Sequence, residues 1–217
     1  MTILYIDTTS NFLYTALVVD NKLLAQKKEK LDNYLSMYTL PKIQELLSDN
    51  NKTVDDLGKI IAVNGPGSFT GIRIGLTIAK TLSWAKNIPI VLISSLEAMA
   101  LSYDGDYDYV IPVIDARRNN VYATIYDTKN KSFVMHEQHI SMETLNIALN
   151  NFKNKITIIT NGKIETNYDV QPYDPNIERI VLEVSNRKSI NPHSVDANYL
   201  KLTEAEENKI KEERHDS

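Results

Sequence analysis

The strongest constraint on the fold is a pattern that occurs twice. The segments ILYIDTTSNFLYTALVVD and VIPVIDARRNNVYATIYD each run from an apolar strand into Ile-Asp, through a polar turn and out along a tyrosine-containing strand. Asp7, Asn11 and Tyr14 stand opposite Asp115, Asn119 and Tyr122 at one constant offset of 108 residues. A shared order at fixed offset indicates internal duplication, and duplication predicts two lobes built alike. The first copy continues into a βββαβαβα order. A helical pattern covers residues 33–47 around Pro41, a buried strand 59–65, a helix 70–88, a strand 89–95 and a short helix 95–103 with Ser95 as its N-cap. After Asp127 the elements are shorter; KITIITNG at 155–162 is the clear strand there. The predicted division is a first lobe over 1–103, a reduced second lobe over 104–202 and a charged tail over 203–217.

The segment NGPGSFTGIRIG, residues 64–75, holds four of the chain's seven glycines. It fails the Walker A pattern because Gly71 is followed by Ile72-Arg73, and it fails the dinucleotide pattern because the glycines do not follow GxGxxG spacing. Glycine inside a helix costs up to about 1 kcal/mol against alanine, so these positions require a packing reason. Gly71, Gly75, Ala79 and Ser83 recur every four residues and form a smooth stripe on one helix face. Two uses compete for that stripe: packing on this protein's own sheet, or docking of another chain. The duplicated aspartates also carry two readings. With Thr8 and Thr9, Asp7 suits a turn that holds phosphate and orients a metal-bound water. Equally, Asp7 and Asp115 suit plain satisfaction of turn amides.

Composition excludes several classes. With 42% hydrophobic residues over 217 positions the chain supports a buried core, and with no cysteine it lacks disulfides and thiolate zinc sites. A formal charge of −4, from 24 basic and 28 acidic residues, provides no broad positive field for nucleic acid. No apolar run reaches the roughly 18 residues of a membrane span, and a cytoplasmic setting is expected. His136 and His139 lie at i, i+3, unlike a zincin pair, and surface histidines are expected. Neither a Gly-x-Ser-x-Gly elbow nor a cysteine nucleophile exists, so no catalytic residue and no metal ligand is assigned.

GPGSFTGIRIG, the opening ILYIDTT, the second-lobe IPVIDARRNNVYATIYD and the late ANYLK together resemble the TsaB (YeaZ) family of tRNA threonylcarbamoyladenosine biosynthesis, over almost the whole chain. The resemblance implies an α/β, two-lobed Hsp70/actin-like (ASKHA) fold with duplicated βββαβα lobes, the second reduced. It further implies a noncatalytic paralogue of TsaD that pairs with TsaD and works with TsaE in threonylcarbamoyl transfer to the adenosine beside the anticodon. A homodimer through the same surface when alone, tRNA contact only through the complex and no membrane association belong to the same picture. No cofactor is implied, although a nucleotide at the TsaD interface stays open. In this reading Gly65, Pro66, Gly67, Ser68, Phe69, Thr70 and Arg73 form a family-motif loop, and Asp7, Thr8, Thr9 and Asp115 a vestigial phosphate loop. The docking face comprises Tyr34, Met37, Tyr38, Gly71, Ile72, Gly75, Leu76, Ala79 and Ser83. Leu35-Ser36-Met37 replaces the polar triplet usual in such proteins, and the histidine pair that binds metal in TsaD has no counterpart. The competing class is an active ASKHA-type phosphotransferase or a peptidase.

Overall fold

The computed structural model describes residues 1–152 and 155–201. Its first sheet joins β1 (Thr2–Asp7), β2 (Phe12–Val19), β3 (Lys22–Lys30), β4 (Leu57–Val63) and β5 (Ile90–Ile93) in the order β3-β2-β1-β4-β5. The helices α1 (Leu35–Asp49), α2 (Phe69–Lys86) and α3 (Ser95–Ser102) belong to the same half of the chain. The second sheet joins β6 (Tyr109–Asp115), β7 (Asn120–Asp127), β8 (Ser132–Ser141), β9 (Ile156–Thr160) and β10 (Asp169–Pro172) in the order β10-β9-β6-β7-β8, with α4 (Met142–Leu149) and α5 (Ile177–Val184). Taken strand for strand, the two sheets have the same topology, with two antiparallel pairs followed by two parallel ones. The repeated sequence pattern therefore maps onto a repeated sheet.

Burial on both faces explains why β1 reads as an unbroken apolar run. Leu4 and Ile6 point with Leu17, Ile60 and Ala62 toward Ile43 and Leu46 of α1 and Ile72 and Leu76 of α2. On the other face Ile3 and Tyr5 pack with Tyr14 and Ile61 against Ala98 of α3 and Ile180 and Val184 of α5. Helix α3 is apolar nearly all round because it is enclosed on both sides: Leu96 and Met99 also pack with Val110 and Ile159 of the second sheet. The second sheet buries its remaining face, Ile111, Val113, Ala123 and Ile158, under Leu145 and Leu149 of α4.

Several sequence expectations need adjustment. Helix α3 is capped by Ser94, not Ser95; the Ser94 side chain accepts from the Glu97 amide. Strand β8, SFVMHEQHIS, has no apolar run to announce it, since it is an edge strand with one open side. Residues expected in the second lobe return to the first: α5 packs on β1 and β2, and Ile190 pairs with Ile90 of β5. The charged tail expected over 203–217 lies outside the described residues. Among the described residues no helix is long and apolar enough to cross a membrane.

Candidate functional site

The glycine motif forms the link from β4 to α2. Ser68 caps α2, its Oγ accepting from the Gly71 amide at 3.2 Å, while its own amide donates to the Thr9 carbonyl at 2.7 Å. A Cβ on Gly67 would overlap that Thr9 carbonyl, so only glycine lets the loop sit on the β1–β2 turn. Gly65 has φ +105 and lies under the Asn198 carbonyl, and the Asn198 amide donates to Asn64 at 2.7 Å. Pro66 is buried beside it, and Thr70 is exposed at the start of α2. The motif is thus held between the first turn and residues 190–201, which lie across it as a strap. Outside, Phe69 stacks on Tyr199 with ring centroids 5.2 Å apart. Arg73 lies over the Phe69 ring and donates from Nε to the Tyr199 hydroxyl at 3.0 Å.

The duplicated aspartates differ in state. Asp7 is buried, and its Oδ1 accepts from both the amide and the hydroxyl of Thr9, at 2.8 and 2.7 Å. Burial pushes its carboxyl up from the ordinary aspartate range, and the two Thr9 donors only partly oppose this. Thr8 is also closed off, donating from Oγ1 to the Gly71 carbonyl at 2.7 Å. Asp115 is half exposed and accepts from the Arg117 amide at 2.8 Å. Its turn differs from the first, with Arg117, Arg118 and Asn119 all left-handed at φ 68, 52 and 59. The pairing register has also slipped by one: Tyr14 faces Asp7, whereas Tyr122 faces Ile114. Asp7, Thr9, Gly67, Ser68 and Asp115 nevertheless line one cleft between the sheets, a cavity of about 580 Å³ that Ser95, Met99, Tyr122 and Tyr173 also border.

The small-residue stripe faces inward, which corrects its expected placement on a docking surface. Gly71, Ile72, Gly75, Leu76, Ala79 and Ser83 are all buried in this chain. A Cβ on Gly71 would overlap the Thr8 carbonyl oxygen, and one on Gly75 would overlap Thr8 Oγ1. The stripe exists so that α2 can lie against the end of β1. The opposite side of α2 carries Phe69, Arg73, Thr77 and Trp84 at helical spacing, all exposed. Trp84, 62% exposed, is the residue the stripe argument overlooked; its helical spacing from Phe69 and Arg73 was the available signal. Tyr34, Met37 and Tyr38 are exposed at α1 and its entry, with Leu40 beside them, and the Tyr34 and Tyr38 rings lie 6.2 Å apart. His136 and His193 are exposed, whereas His139 is partly buried, unlike the surface position expected for it. Among the described residues no three His, Asp or Glu side chains converge as a metal ion would require.

A family model described as TsaD, tRNA N6-adenosine threonylcarbamoyltransferase, matches residues 22–188. The tRNA threonylcarbamoyladenosine biosynthesis protein TsaB of Bacillus subtilis strain 168 is 42% identical over 133 residues, which cover 60% of this chain and 57% of that protein. The matched segment thus spans little more than half of that relative. The TsaB protein of Buchnera aphidicola subsp. Schizaphis graminum is 31% identical over 146 residues, 66% of this chain and 69% of its own. Among solved structures, YeaZ from Pseudomonas aeruginosa superposes with a TM-score of 0.77 at 19% identity, covering 92% of this chain and 99% of that one. The paired sheets, the glycine loop seated on the first turn and these likenesses agree: the chain belongs to the TsaB (YeaZ) family, within the wider grouping described by the TsaD model.

Proposed function

We propose that this protein is a noncatalytic partner in threonylcarbamoyladenosine formation on tRNA, pairing with a TsaD-type subunit and acting with TsaE in the cytoplasm. The observation that carries the noncatalytic reading is the closed first turn. A phosphotransferase of this architecture needs an aspartate free to orient a metal-bound water and open turn donors for phosphate. Here Asp7 is buried on Thr9, Thr8 is spent on Gly71, and the Ser68 amide fills the Thr9 carbonyl. The similarity to tRNA threonylcarbamoyladenosine biosynthesis proteins supports the pathway.

For docking, the outward side of α1 and α2 supplies what a partner surface needs: exposed Met37 and Tyr38 on α1 with Tyr34 at its entry, and exposed Trp84 on α2, the two helices being packed together. Two copies of the chain close through the same face when the partner is absent. The net charge of −4 supports tRNA contact through the complex and weak binding by the chain alone. The test is depletion in the source cell followed by mass spectrometry of bulk tRNA. Threonylcarbamoyladenosine should fall, and the Asp7→Ala variant should restore it if it folds. Unchanged modification after depletion, or robust ATP turnover by the purified chain that Asp7→Ala abolishes, would overturn the proposal.

A further inference from the structure

The late ANYLK motif, residues 197–201, is not accounted for by a docking face on α1 and α2, yet its residues engage different parts of the molecule. Ala197 packs with Ile190 and Val195 into the cluster that α2 forms with the first sheet. Leu200 enters the cluster between the two sheets, with Leu96, Met99 and Tyr122. Between them Tyr199 reaches the outward side of α2, stacked on Phe69 and accepting from Arg73. Phe69 and Tyr199 are 46% and 42% exposed, so the pair adds an aromatic corner to that side of the helix.

Asn198 fixes that tyrosine from the chain's inner side. Its amide donates to the Asn64 carbonyl at 2.7 Å, and the Asn64 side chain donates back to the Asp196 carbonyl at 3.3 Å. The Asn198 side chain donates to Glu137 Oε2 at 2.9 Å. Glu137 belongs to β8, the edge strand of the second sheet, and its Oε1 accepts from Ser94 Oγ, the cap of α3. One carboxyl therefore joins the second sheet, the helix between the sheets and the strap whose next residue is Tyr199. Burial pushes this carboxyl up from the ordinary glutamate range, the Ser94 and Asn198 hydrogen bonds oppose the shift, and the like charge of Glu97 adds to it. Arg187 is committed to Glu97, at 2.7 and 3.1 Å. What the position uses is a pair of acceptor oxygens on one arm, because both of its neighbours donate.

We propose that Glu137 is a positioning residue for partner docking: through Asn198 it holds the strap so that Tyr199 completes the Phe69–Arg73 corner of the partner surface. The second lobe thereby sets the shape of a surface whose helices belong to the first. The proposal rests on the docking reading above.

The test is a double-mutant cycle on the full chain, with a purified TsaD-type subunit titrated by calorimetry and amide exchange followed by nuclear magnetic resonance. Glu137→Ala should weaken pairing about five- to tenfold and Tyr199→Ala about tenfold or more, while the double variant should pair no worse than Tyr199→Ala alone. Asn198→Ala cuts the same link from the strap side, away from the sheet, and should reproduce Glu137→Ala even if that variant folds poorly. Glu137→Gln keeps the length and one acceptor, and the Asn198 amide can turn to meet the new donor, so pairing should return to within about twofold. In Glu137→Ala and Asn198→Ala the amide of residue 198 should exchange faster, with the amides of β1 still protected. Met37→Glu separates the two readings. If it weakens pairing while Tyr199→Ala, Glu137→Ala and Asn198→Ala do not, the positioning role is overturned and the docking face stands. If neither Met37→Glu nor Tyr199→Ala has an effect, the docking face itself is wrong and the positioning role falls with it. Losses from Glu137→Ala and Tyr199→Ala that simply add, or unchanged exchange at residue 198, would also overturn the proposal.

Discussion

Replacing Gly75 with alanine tests whether the small-residue stripe is an internal packing device. The added methyl would fall on Thr8 Oγ1, which is fully buried and hydrogen-bonded to the Gly71 carbonyl at 2.7 Å. Overpacking of this kind costs about 1 to 3 kcal/mol. Rotating Thr8 away to make room forfeits a buried hydrogen bond, about 1 kcal/mol more. Against this, alanine gains about 1 kcal/mol of helix propensity over glycine. The net loss is about 1 to 3 kcal/mol, which for a chain of this size lowers the melting temperature by roughly 2 to 12 °C. Thr8→Ala removes the atom in the way, so Gly75→Ala should be much less damaging, or even stabilising, when made on that background. Thermal unfolding of the two single variants and the double variant forms the cycle, with a coupling of about 1 kcal/mol or more expected for residues in contact. An equal loss in both backgrounds would refute the packing argument. Lost partner affinity with unchanged unfolding would return the stripe to a docking role.

Met37→Glu on α1, at 60% exposure, should leave the melting temperature within about 2 °C of the unaltered protein. It should nevertheless weaken pairing with a TsaD-type subunit by roughly tenfold or more, measured by calorimetry; unaltered affinity would place the docking surface elsewhere. Asp7→Asn addresses the buried carboxyl. A folded-state pKa raised by burial means that the carboxyl's contribution to stability is complete at pH values below its unfolded value near 4 and is lost as pH rises through the folded value. Asparagine keeps an acceptor for Thr9 without the charge, so the variant's stability relative to the unaltered protein should improve from pH 4 to pH 8. A relative stability that worsens with rising pH in denaturant titrations would count against a buried, charge-penalised Asp7.

Much of the fold was legible because its signals are local. The repeat at constant offset required only comparison along the chain, and it maps onto two sheets of the same strand order. Helix α2 announces itself through its length and spacing, expected over 70–88 and found over Phe69–Lys86, whereas its Ser68 cap and the left-handed Asn87 that ends it came only with the structure. Strand β8 did not, since edge strands need no apolar run, and the return of α5 to the first sheet was hidden because an amphipathic helix does not name the sheet it will cover.

The sequence by itself determined that Gly71, Gly75, Ala79 and Ser83 share one helix face, since helical periodicity follows from 3.6 residues per turn. Only the tertiary structure decided what that face meets, because the neighbour is Thr8, 63 residues away along the chain. The same division holds for the aspartate pair. Their equivalence is a property of the repeated sequence, but burial depends on what the rest of the chain lays over each turn. The glycine loop sits on the turn beside Asp7, while the left-handed turn at Arg117 leaves Asp115 half in solvent. Identical residues in duplicated turns thus acquire different electrostatics, because desolvation is set by distant packing and not by the residues beside them in sequence.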